Sequence, residues 1–394
     1  MRGLRPDFKT IADFRKDNRK AFKPLFKQFN LLCRQLGLFG AELVAIDGSK
    51  FKAVNNTRRH YTQAQLQALL QKVETRIDEY LSELDRQDTE AEGVPAAPSR
   101  QALQEKIAQL KERRGRYDEL LGELKASGQN EISLTDADSR KMKGAHGHLI
   151  GYNVQVAVDA KHDLIVTEAV VQAANDRGQL SALALAAKAE LNVENLQAVA
   201  DKGYHEADQL AACEQAGLAT FVPGPGGTSG RSPDGHDIFP QERFTYDAAS
   251  DTYQCPGGQS LKRGSESQSR GKARVVYYHR AACAACALRA QCTTGAYRVI
   301  ARRLNEAVVE RAAGRAAAHP EKIAARKEIV EHVFGTLRQW GHDTSLLRGL
   351  AKVRAEFSLS ALVYNLRRVL NLVSVADLLK ALGVAVNRAV PSAV

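Results

Sequence analysis

Two short apolar runs that each stop at an aspartate, residues 42–47 (ELVAID) and 196–201 (LQAVAD), constrain this chain more than any other feature. Runs of that length bounded by turn residues read as buried strands. Each delivers its carboxylate, Asp47 or Asp201, to the carboxyl edge of a sheet, where open α/β folds build their sites. Between them lie GYNVQVAVD (residues 151–159) and LIVTEAVV (residues 164–171), two strands joined by a tight turn at KHD. Residues 179–191, rich in Ala and Leu, read as a helix; residues 206–216 form a second, and LATFVP (residues 218–223) a further strand. The order strand, hairpin strands, helix, strand, helix, strand belongs to an α/β domain with a mixed central sheet.

Two segments interrupt that order. Leu66, Leu69, Val73, Ile77, Tyr80 and Leu84 recur at helical spacing, as do Leu103, Ile107, Leu110, Tyr117, Leu121 and Leu124, with the loop GVPAAPS between them. This is a helical hairpin inserted after the first strand, its apolar seam serving packing or a partner-binding coiled coil. Residues 224–304 change character: GPGGTSGRSPDG is a linker, and short strand-like runs such as ARVVYYH alternate with cysteines. Helical periodicity returns from Glu306 to about Asn371 and includes RKEIVEHVFGTLRQW, which carries Glu331.

A chain of 394 residues with 44% hydrophobic content can bury a substantial core. Its formal net charge of +11 favours a polyanionic partner, because cations that neutralise phosphates release condensed counterions. Ten Lys and Arg against three Asp crowd residues 1–34, as a nucleic-acid contact or as a solvated basic face. No signal peptide and no bilayer-spanning stretch are evident, since Asp377, Lys380 and Arg388 interrupt the apolar tail that begins at Val369; a cytoplasmic protein is expected. Six cysteines are too few for a disulfide scaffold in so long a chain. Four of them, Cys255, Cys283, Cys286 and Cys292, have a C-x27-C-x2-C-x5-C spacing that suits one structural zinc ion, with free thiols packed as small hydrophobes as the alternative. Cys33 and Cys213 lie on helical patterns and are expected in the core.

Two carboxylates at neighbouring strand ends can bind hard divalent cations, and Glu331 on a helix packed against the same edge completes a cage for two of them. Such a cage suits phosphoryl transfer, in which attacking and leaving oxygens both gain charge.

The ordered segments LRPDFKTIADFRKDN, AIDGSKFKAVNN, GYNVQVAVD, Asn175-Asp176 with Gln179-Leu180, ADKGY, VEHVFGTLRQW and LLRGLAKVRAEFSLSALVYNLRRVLN resemble insertion-sequence DDE transposases. The resemblance is to the IS-four and IS-five type superfamily, in its branch with a cysteine-bearing insertion, and it runs through most of the chain. It implies an RNase H-like fold, a catalytic triad at Asp47, Asp201 and Glu331, and two Mg²⁺ or Mn²⁺ ions per site. It implies cleavage at transposon ends and strand transfer into target DNA, with a homodimer in the synaptic complex. Seven positions after the glutamate, where the family has a basic residue, stands Arg338; four before it stands Lys327 in place of arginine, with Arg326 beside it, and these three are the expected DNA contacts. Ala324 replaces the family's tyrosine, and Asp176 is expected in a supporting role. Relatives carry a further helical region before PDFKTIADFR, so a truncated, inactive DNA-binding remnant stands as one alternative and a metal-dependent nuclease of the same fold as another.

The expected layout is a basic helical segment over residues 1–40 and a core from residues 41–223 and 305–372, with the helical hairpin at 57–130, the cysteine-bearing insertion at 224–304 and a tail at 373–394.

Overall fold

A computed structural model describes residues 5–56, 59–89, 99–144, 147–224, 231, 235–269 and 272–383. All of the loop GVPAAPS but Ser99, most of the linker GPGGTSGRSPDG and the end of the apolar tail lie outside the described residues.

Helices α1 (Phe8–Asp17) and α2 (Phe22–Gln35) lead into β1 (Leu43–Lys52). A ribbon of β2 (His60–Thr62) and β3 (Glu131–Ser133) brackets the antiparallel pair α3 (Gln63–Thr89) and α4 (Arg100–Ser127). Then come β4 (Arg140–Gly144), β5 (Gly147–Asp159), β6 (Leu164–Val171), α5 (Leu180–Leu191), β7 (Leu196–Ala200), α6 (Ala207–Gln215) and β8 (Leu218–Phe221). A second sheet holds β9 (Thr245–Asp247), β10 (Thr252–Gln254), β11 (Ser260–Ser269), β12 (Lys272–Tyr278) and β13 (Val299–Arg303), with α7 (Arg280–Ala284) and α8 (Arg289–Cys292) between its last two strands. Helices α9 (Glu306–Ala318), α10 (Pro320–Gln339), α11 (Leu350–Leu372) and α12 (Val375–Ala381) follow.

The main sheet is mixed. Its path is β4-β5-β1-β7-β8, with β6 also paired to β5; β5 runs antiparallel to β1, β4 and β6, whereas β7 and β8 run parallel to β1. Strands β1 and β5 are buried on both faces because helices cover both. On one face α5, α6 and α2 pack Leu183, Ala187, Leu210 and Cys33 against Val44, Ile46 and Ala198. On the other, Val330, Val333 and Leu337 of α10 and Val353 and Phe357 of α11 pack against Ala45, Phe51 and Val156.

The structure corrects one sequence expectation and adds a strand to it. The first apolar run does not end at Asp47: the strand continues to Lys52, because β5 offers pairing partners from Asp159 back to Gly151. β4, read from RKMKG, went unrecognised among polar residues, since only Met142 points into the core. At the N-terminus part of the basic stretch holds the core together. Lys23 pairs with Glu168 at 2.7 Å, Lys27 pairs with Glu190, and Arg34 donates to the Glu190 carbonyl. A buried amide clamp completes the docking of α2 and α11 on β6: Asn365 donates to Asn30 Oδ1 and the Ile165 carbonyl and accepts from the Ile165 N–H.

Candidate active site

Asp47 lies in β1 and Asp201 just past the end of its parallel neighbour β7, at equivalent levels. Ladder pairing of β1 with β7 ends at Ile46 opposite Ala200, so the next residue after each is the aspartate. Asp201 turns out of the sheet as the cap of a short 3-10 turn, its carboxylate accepting the Gly203 N–H at 2.7 Å. Asp47 stays inside β1, its side chain 24% exposed. Burial raises the proton affinity of Asp47; Arg326 and the Gly48 N–H oppose that, and the neighbouring Asp201 charge adds to it, leaving the carboxyl above its ordinary range.

Arg326 supplies the cation that Asp47 faces. Its Nη1 lies 2.8 Å from Asp47 Oδ2, while its Nε is buried without a partner. Arg326 stands one turn before Val330 on the face of α10 that packs on the sheet. Lys327, Glu331 and Arg338 share a different face, at spacings of four and seven residues. Glu331 is 65% exposed there, and its carboxylate meets Lys327 Nζ at 3.7 Å. Arg338 reaches β1 again, donating to Ser49 Oγ at 2.5 Å. The structure thus brings Asp47 and Asp201 together, with Arg326 on Asp47, and holds Glu331 exposed on another face of the same helix. Among the described residues no group of three or more His, Cys, Asp or Glu side chains stands arranged to hold a metal ion.

On the opposite side of β1, Asp176 anchors a polar cluster that sequence reasoning did not assemble. It accepts from Lys50 Nζ at 2.8 Å, Asn153 Nδ2 at 2.8 Å and Gln155 Nε2 at 2.7 Å. Burial works to raise its pKa, but those donors outweigh burial and hold Asp176 below the usual carboxylate range. Tyr204, buried beneath both aspartates, donates to Gln155 Oε1 at 2.5 Å, and burial among Asp176, Asp47 and Asp201 pushes its phenol far up. Gly48 makes the cluster possible: a Cβ there would fall 2.0 Å from Gln155 Nε2 and 2.6 Å from Asp176 Oδ1. The available signal was Asn153 and Gln155 inside an otherwise apolar strand, since buried amides need partners.

The cysteines form a separate group. Cys255 sits in a tight turn, with the Gly258 N–H bonded to its carbonyl and the Gln259 N–H 3.4 Å from its Sγ. Cys283 lies in α7, Cys286 just beyond it, and Cys292 ends α8. All four line one small cavity of about 30 Å³, and a Cβ at Gly257 would lie 3.6 Å from Cys286 Sγ and 3.7 Å from Cys255 Sγ. Burial raises the pKa of Cys292, Arg298 lowers it, and the other three thiols raise it further. Cys33 and Cys213 are fully buried in the main core.

No helix among the described residues is long and apolar enough to cross a membrane. Neither the curated proteins nor the solved structures contain a match to this chain. Residues 254–370, which include the four clustered cysteines, Lys327, Glu331 and Arg338 but neither Asp47 nor Asp201, match the family model described as the transposase DDE domain, and that match supports a transposase-type function.

Proposed function

We propose that this chain is a metal-dependent DNA transposase whose divalent cations are held by Asp47 and Asp201, with Glu331 as the third ligand. The observation that carries this reading is the level placement of Asp47 and Asp201 by adjacent parallel strands, close enough for one charge to raise the proton affinity of the other. Two hard oxygen donors that repel each other fit Mg²⁺ or Mn²⁺, and the Arg326 guanidinium stands in for such a cation at Asp47. The β6-β5-β1-β7-β8 order supports the RNase H-like fold that the sequence resemblance implies. Two bound cations would supply Lewis-acid stabilisation of the phosphodiester oxygens that gain charge during cutting and joining.

The chain's own side chains then have distinct tasks. Asp47 and Asp201 fix the cation position from rigid strands. Arg326 and Lys327 neutralise Asp47 and Glu331 in the absence of substrate, and both are free to turn to DNA phosphates once those carboxylates have other partners. Arg338 holds the start of the β1 edge beside the site. The Asp176 cluster supports β1 from beneath through Lys50 and Gln155. The partners in this reading are transposon ends and target DNA, brought together by a homodimer. Zinc at Cys255, Cys283, Cys286 and Cys292 would fasten α7 and α8 to the turn at Cys255, and the shared cavity supports that ligand set.

A strand-transfer assay tests the reading. Wild-type protein with Mn²⁺ should join a pre-cut DNA end bearing a 3′-hydroxyl to a target duplex. Cutting without joining would identify a nuclease, and binding with neither reaction would identify an inactive remnant.

A further inference from the structure

Among the described residues, the part of β1 from Gly48 to Phe51 has no ladder partner on the side that β7 occupies earlier. Pairing with β7 stops at Ile46, and only at Lys52 does another segment close in, where the Lys52 N–H bonds the Asp343 carbonyl at 3.2 Å and the Ser345 N–H bonds the Lys52 carbonyl at 2.8 Å. A cleft of about 700 Å³ opens along this stretch. One wall is Arg338 of α10; the other is the β4–β5 hairpin, whose Gly147 to Leu149 segment pairs with β4 and extends past the end of β1. Lys143 and His148 face each other across that hairpin.

The charges of the cleft are unequal. Lys50 is already spent on Asp176, but Lys52 and Lys143 are exposed and make no ion pair among the described residues. Among the described residues Asp343 is the one acidic side chain of the lining, and it lies 3.9 Å from Arg338. At Gly147 an added Cβ would meet nothing within 4 Å, so the rim is open there and a bulky backbone can come close.

We infer that this cleft is the track along which the sugar-phosphate backbone of duplex DNA runs to Asp47, with Lys52 and Lys143 each neutralising a phosphate. The inference rests on the DNA-acting reading above and adds the path of the strand. Contacts of this kind position a duplex without reading its sequence.

The test compares the full chain with Lys52→Ala/Lys143→Ala and with Lys72→Ala/Lys111→Ala, a control that removes the same charge from exposed positions on α3 and α4. Binding to a short duplex of arbitrary sequence is followed by fluorescence anisotropy over a series of NaCl concentrations, and equal thermal melting of the three proteins establishes that all are folded. Two lost phosphate contacts should reduce the slope of log K against log salt by about 1.8, while the control keeps the wild-type slope. An unchanged slope in the cleft variant, or an equal drop in the control, overturns the track and leaves the DNA-acting reading standing. Wild-type protein that binds no duplex at low salt overturns both.

Discussion

At Asp47 burial and charge work against each other, and Arg326 sets the balance. Both side chains are largely enclosed, so the pair resembles a buried ion pair, in which loss of one partner strands the other's charge. Arg326→Ala should therefore destabilise the fold by about 3 kcal/mol at neutral pH, read from urea denaturation; an unchanged midpoint would mean that the pair contributes nothing to the folded state. The core thiols make a separate prediction. Burial pushes Cys33 and Cys213 up to about 12 from an ordinary 9.0, so between those values the unfolded chain releases protons that the folded chain keeps. Stability should be complete below pH 9 and fall as pH rises towards 12, by about 1.4 kcal/mol per pH unit per thiol at most. Replacing both by Ala should remove that part of the alkaline slope in a series of thermal melts; an identical slope would show the thiols to be uninvolved. At this scale Asp47 and Asp201 were legible because an acid at the end of an apolar run is conspicuous. The exposure of Glu331 was not, because the phase of α10 is fixed by Val330, Val333 and Leu337 seating on the sheet.

Among the elements, the strands rich in Val and Ala were readable and their limits were not. β6 matches the sequence reading at both ends, whereas β1 outruns it by five residues, from Asp47 to Lys52, since GSKFK carries no apolar signal apart from Phe51 and is ordered by β5. Phe51 then seats α10 and α11, its ring 6.2 Å from Phe334 and 4.8 Å from Phe357. The close approach of β1 and β5 here depends on Gly151: a Cβ at that position would lie 1.9 Å from the Phe51 carbonyl oxygen. Backbone must move to admit it, so Gly151→Ala should cost about 1–3 kcal/mol, measured by chemical denaturation. A wild-type midpoint would show that the two strands are not locked at that point. α3 and α4 were legible from their heptad-like steps, and their buried Leu66, Leu120 and Leu124 form a core of their own. The ribbon of β2 and β3 at their base escaped notice, since strands of three residues leave no periodicity to read.

Across the whole molecule the candidate site is assembled from distant parts of the chain. Asp47 and Asp201 come from the sheet, and Arg326 and Glu331 from a helix more than a hundred residues later, within the stretch that matches the transposase DDE domain. The net charge of +11 favours a polyanionic partner but does not locate its surface, because Lys23, Lys27, Arg34 and Lys50 are engaged within the fold. The most direct test of the central claim is paired, with wild type and Asp201→Asn each assayed for Mn²⁺-dependent cleavage of DNA bearing the element's ends and for binding to that DNA. Asparagine keeps the shape of the side chain and removes one negative charge from the cation site, while binding rests on phosphate contacts made by Lys and Arg. The account predicts cleavage by the wild type, its loss in Asp201→Asn, and binding retained in both. Equal cleavage by the two proteins would contradict it.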